Sequence, residues 1–146
     1  MQYTNLLKMA LLSFISMYIL MYAMADKISN IYPNLNQFYM AVIMTMPMIL
    51  IELFLMRSMY PNKRLNNIIA LSSLILFGIF FFFERKQTAI YDKEFLKSMI
   101  PHHAAALLMC RESHLKDPEI IQLCKNISAS QQSEIHFMKS KLSAMK

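Results

Sequence analysis

Three apolar runs decide what this chain can become: Leu6 to Ala25, Phe38 to Met56 and Leu65 to Phe83. Each holds roughly 20 residues, enough as a helix to cross about 30 Å of hydrocarbon. In a chain of 146 residues that is 56% hydrophobic, such runs leave too little polar sequence to enclose them in a soluble core. They predict an all-α protein with a three-span membrane domain over 1–86 (spans 6–25, 38–56 and 65–83) and a separate domain over 87–146. The small-x-small sequence Ala23-Met24-Ala25 raises a cleaved signal peptide as the alternative for the first run, but the run exceeds a usual signal core, so a retained span is expected.

Charge orients the spans. Arg57, Lys63 and Arg64 flank the Pro61-Asn62 turn signal in the loop between the second and third runs. Short basic loops stay cytoplasmic, which places the N-terminus with Lys8 on the same side. Residues 87–146 then lie on the far face, periplasmic or extracellular, of what is read as a bacterial inner membrane. The net charge of +6 sits mainly at run ends and on the C-terminal helices, which fits orientation better than a nucleic-acid face. Gly78 is the only glycine and lies inside a run, so no phosphate-binding glycine loop exists and no nucleotide is expected. Glu52 is a carboxylate inside the second span, functional by default. It lies about one turn from the span's end, and snorkelling toward Arg57 is the simpler expectation. Met17, Met21 and Met24, and Met40, Met44 and Met48, form stripes at helical spacing, read as flexible packing rather than a metal track.

Beyond the third run the pattern becomes amphipathic. One helix is predicted from about Asp92 to Leu115 and a second from Pro118 to Ala144, with Asp117 as N-cap and Pro118 at the first helical position. The second helix carries a seam of Cys124, Ile127, Gln131, Glu134 and Met138; the first carries Met99, His103, Ala106 and Cys110. Folded antiparallel about Asp117, residues equidistant from it face each other. Cys110 then meets Cys124, His103 meets Gln131, and Met99 comes near Glu134 and Met138. The cysteines are read as a disulfide, two packed thiols or a second soft-metal pair.

The stretch Met99-Ile100-Pro101-His102-His103 carries the chemistry. Met99 is three residues from His102 and four from His103, so all three share a helix surface. Thioether with imidazole suits soft or borderline ions, above all copper. Pro101 lacks an N–H and clashes with the Lys97 carbonyl, so the helix is expected to kink or restart there.

The run from Asp92 through Met-Ile-Pro-His-His, with Met109, Asp117-Pro-Glu-Ile and Gln131-x-x-Glu134-Ile-x-x-Met138, closely resembles the family called domain of unknown function 305, in its three-span membrane form. The resemblance covers nearly the whole chain. It implies a ferritin-like helical fold, here an antiparallel half-bundle completed by oligomerisation, and kinship with periplasmic copper binders. It makes Met99, His102, His103, Met109 and Met138 candidate ligands for copper or silver, with Glu134 as an oxygen ligand or its partner and Gln131 in support. Small residues are usual where Cys110 and Cys124 stand, and an apolar residue where Glu52 stands.

Three functions follow: an outward-facing soft-metal binding protein for tolerance or delivery, a small structural or interaction subunit of a membrane assembly, and a di-iron oxidase. The last requires Glu-x-x-His motifs, and the sequence has none, so no enzyme is expected. No organic cofactor and no nucleic-acid partner are expected, and no protein partner can be named. Binding should weaken below about pH 6.5, since a ligating histidine must be neutral.

Overall fold

Helix signals in the sequence are met by capping groups. A computed structural model describes residues 2–145, which contain α-helices α1 (Gln2–Leu20), α2 (Leu35–Leu55), α3 (Lys63–Lys86), α4 (Asp92–Glu112) and α5 (Pro118–Ala144), two short 3-10 turns and no strand. Asn62 caps α3 by accepting from the Leu65 N–H at 3.0 Å. Gln87 ends α3 in the left-handed region (φ 51°), its N–H turned back to the Glu84 and Phe83 carbonyls. The Asp117 carboxylate caps α5, accepting from the Glu119 and Ile120 N–H groups at 2.8 and 3.2 Å.

The chain forms two compact units. The first comprises the residues up to Met21 and Asn36–Ala89. Leu6, Leu53 and Tyr60 form its buried cluster, with Tyr3, Met9 and Ile49 against it. Phe38, Tyr39, Phe80 and Phe83 meet edge to face or tilted. Three helical stretches, Gln2–Met24, Leu35–Leu55 and Lys63–Lys86, are long and apolar enough to cross a membrane, and the chain buries only 11%, 28% and 6% of their apolar windows. Leu12, Phe54, Leu71 and Phe82 are among the side chains left exposed. Apolar surface of that extent calls for another apolar phase. The Glu52 carboxylate accepts from the Tyr60 hydroxyl at 3.1 Å, not from Arg57. Turns from Met56 to Tyr60 bring the buried Tyr60 ring back over the helix end, beside Tyr3.

The second unit comprises Tyr22–Leu35 and the chain from Ile90 onward. The connection before α2 therefore groups with the hairpin rather than with the three apolar helices. Local physics explains it. Ala25 and Tyr32 pack on the hairpin core, and the Leu35 N–H, an open donor at the start of α2, is taken by Glu94 of α4 at 3.1 Å. α4 runs unbroken through Pro101, against the expected restart. The Lys97 carbonyl that Pro101 cannot serve receives Asn34 Nδ2 at 3.5 Å instead.

α4 and α5 form the antiparallel hairpin. Its core is Leu96, Ile100, Ala104 and Leu107 from α4 with Ile135 and Met138 from α5. Cys110 and Cys124 form a disulfide near the turn, with Cα atoms 5.4 Å apart. Farther out the register departs from simple equidistance. His103 contacts Glu134 rather than Gln131, one turn along the same face of α5.

Candidate functional site

The site grows from a single imidazole. His103 is buried, and its Nδ1 lies 2.9 Å from the backbone carbonyl of Met99, four residues earlier on α4. A carbonyl only accepts, so Nδ1 carries a proton and donates. Nε2 is thereby fixed as the nitrogen aimed across the hairpin, 2.7 Å from Glu134 Oε2. Glu134 is half exposed, and its other oxygen accepts from the Ser130 hydroxyl at 2.6 Å. The Ser130 hydrogen bond, and then that of His103, hold this carboxyl below the usual carboxylate range. Its hydrogen bonds therefore persist above that range and are lost as pH falls through the lowered value. At 2.7 Å, Nε2 and Oε2 are bridged by a single proton. That proton is the one a metal ion would displace.

Gln131 stands one turn before Glu134 on the same face of α5. Its Oε1 is buried without a hydrogen-bond partner. A buried acceptor lacking a donor is satisfied by a cation as well as by a water. Met99 packs against the hairpin core and Met138 belongs to it. The described residues hold no group of three His, Cys, Asp or Glu side chains able to bind a metal. What they bring into contact is one oriented imidazole nitrogen and one carboxylate, with the Gln131 amide one turn before Glu134 on α5 and the Met99 and Met138 side chains in the adjoining core. That donor mixture fits a soft ion of low coordination number better than an octahedral hard one.

Two sequence candidates fall elsewhere. His102 is exposed, its ring edge-on to His103 at 6.2 Å between centroids. It can join a site only from the solvent side. Met109 is 57% exposed and six residues beyond His103, about 9 Å along the helix axis, too far for a common coordination sphere. Glu52 belongs to the first unit. Conversely, sequence reasoning missed Asn34, which serves the Lys97 carbonyl of α4, and Glu94, which takes the N–H at the start of α2. Pro101 announces that the Lys97 carbonyl needs a donor, yet nothing local identifies one 63 residues away.

Fold and site together define an all-helical protein with three helices fit to cross a membrane and a disulfide-tied hairpin. The family model described as Domain of unknown function (DUF305) matches residues 56–142, and the chain belongs to that family. An uncharacterized protein of Acanthamoeba polyphaga mimivirus is 37% identical over 144 residues, which is 97% of this chain and 93% of that protein. No solved structure matches.

Proposed function

We propose that the chain is a membrane protein whose hairpin binds a soft metal ion, Cu(I) or Ag(I), for tolerance or delivery. The observation that carries this reading is His103: Nδ1 is committed to a backbone carbonyl, and Nε2 points across the hairpin at the Glu134 carboxylate. Metal-bound histidines characteristically use their second nitrogen in this way. Met99 and Met138 supply the softness. α1, α2 and α3 act as the three spans, with the basic 57–64 loop on the cytoplasmic side and the hairpin opposite. The Cys110–Cys124 bridge suits an oxidising far side.

The competing reading is structural, and one observation favours it: the His103–Glu134 hydrogen bond is already complete without an ion. Titration of Ag(I) or Cu(I) into the full chain in detergent, against a chromophoric chelator, separates the two. His103→Ala should lower affinity by at least about a hundredfold, the upper end of the 10- to 100-fold typical of a group behind a ligand. Met99→Leu should lower it less, and His114→Ala not at all. Unchanged Ag(I) binding in a His103→Ala, Met99→Leu double variant would remove this site from consideration.

A two-helix hairpin is also half of a four-helix bundle. Ile120, Leu123 and Phe137 are large apolar side chains left exposed on one face of α5. The proposal includes a homodimer through this face. Mass measurement in detergent should give twice the chain mass, and a folded monomer alone would reject the dimer.

A further inference from the structure

An open groove of about 600 Å³ lies at the turn end of the hairpin. Cys110 and Cys124 both line it and are only half-buried, so the sulfur bridge is within reach of solvent. Each cysteine is followed in sequence by a cation, Arg111 and Lys125, and both cations line the same groove, with Lys27 from the 22–35 connection. Asp26 is the only acidic residue in the lining; Asn30 donates to its carboxylate, and Arg111 also pairs with the exposed Glu112 at 2.8 Å. Leu107, Leu115 and Ile121 add apolar wall. The volume falls in the range of small-molecule sites.

We propose that this groove is a thiol–disulfide exchange site that accepts two electrons from a small anionic thiol. The incoming thiolate attacks one sulfur of the Cys110–Cys124 bridge. The S–S bond breaks, a mixed disulfide forms, and the other cysteine leaves with the electron pair as a thiolate. A second molecule of the thiol attacks the mixed disulfide on its own sulfur, releasing the symmetrical small disulfide and the second cysteine. Two thiols are oxidised, the bridge is reduced to two cysteine thiols, and the two protons lost by the reductant end on them. Lys27, Arg111 and Lys125 draw the anion in and stabilise both the attacking and leaving thiolates. This site is separate from the His103–Glu134 pair and stands whether or not that pair binds metal.

The test uses the full chain in detergent with the bridge intact. Glutathione (anionic), 2-mercaptoethanol (neutral) and cysteamine (cationic) are compared by alkylating freed thiols and weighing the products. Each rate is divided by that of the same thiol with a neutral small disulfide, which removes differences in thiolate fraction and nucleophilicity. Glutathione should exceed cysteamine by about three- to tenfold, the size expected for one or two cations at contact distance in water. The preference should collapse at 1 M salt and in a Lys27→Gln, Lys125→Gln variant. Equal rates for the three thiols, a preference for cysteamine, or a bridge that resists all of them until the chain is denatured would each overturn the proposal.

Discussion

Replacing Ile100 by alanine should cost the hairpin about 2–5 kcal/mol, the range for truncating a buried isoleucine whose surroundings cannot close over the gap. Ile100 is fully buried, at 0% exposure, between Leu96 and Ala104 on α4 and packed in the cluster completed by Ile135 and Met138. A loss of about 3 kcal/mol is on the order of a hundredfold in the opening equilibrium. Amide hydrogen exchange of the full chain in detergent is the measurement. Protection in α4 and α5 should drop by that factor, while α1 to α3 keep theirs, because local opening tracks local packing. Ile120→Ala, at a position 48% exposed, supplies the contrast and should move the hairpin amides little. Equal protection in wild type and Ile100→Ala would mean that this cluster does not hold the hairpin together.

The second large effect belongs to the Cys110–Cys124 bridge. It closes a loop spanning a sequence separation of 14. In the chain-entropy account, a loop of that size stabilises by about 3 kcal/mol. A Cys110→Ser, Cys124→Ser variant should therefore lose protection at the α4–α5 turn to an extent comparable with Ile100→Ala. Combining the two changes should nearly add, since Cys110 lies ten residues, about 15 Å of helix, from Ile100. A double-serine variant with undiminished exchange protection would show that the hairpin is held by packing alone.

The hairpin was readable because its signals are local. Asp117 followed by Pro118 announces a helix start, and the described cap and the observed α5 bounds of Pro118–Ala144 follow from it. The apolar runs were readable for the same reason, since length and composition suffice to find them, although α1 begins and α3 ends several residues outside the sequence boundaries. What sequence reading got wrong is non-local. Equidistance from Asp117 pairs His103 with Gln131, but His103 reaches Glu134 one turn later on the same face of α5. Period analysis placed Ala106 on the seam while Ala104, fully buried, carries the core. Met109 shares the motif's neighbourhood in sequence, but the helix rise carries it out of the site. Tyr60 was invisible as a partner for Glu52, because the turn that returns it depends on the burial of its own ring.

The pairing of Pro101 with Asn34 also limits how the molecule can be divided. A fragment beginning at Ile90 would contain both hairpin helices and the disulfide, yet it would leave Asn34 behind, and with it the donor to the Lys97 carbonyl. The same cut would strip Glu94 of the Leu35 N–H and the core of Ala25 and Tyr32. No single cleavage point yields a piece that keeps all of these partners, since they lie on both sides of α2 and α3 in the chain. The shortest self-sufficient hairpin is discontinuous in sequence, and excision would need a new peptide link from near Leu35 to near Ile90.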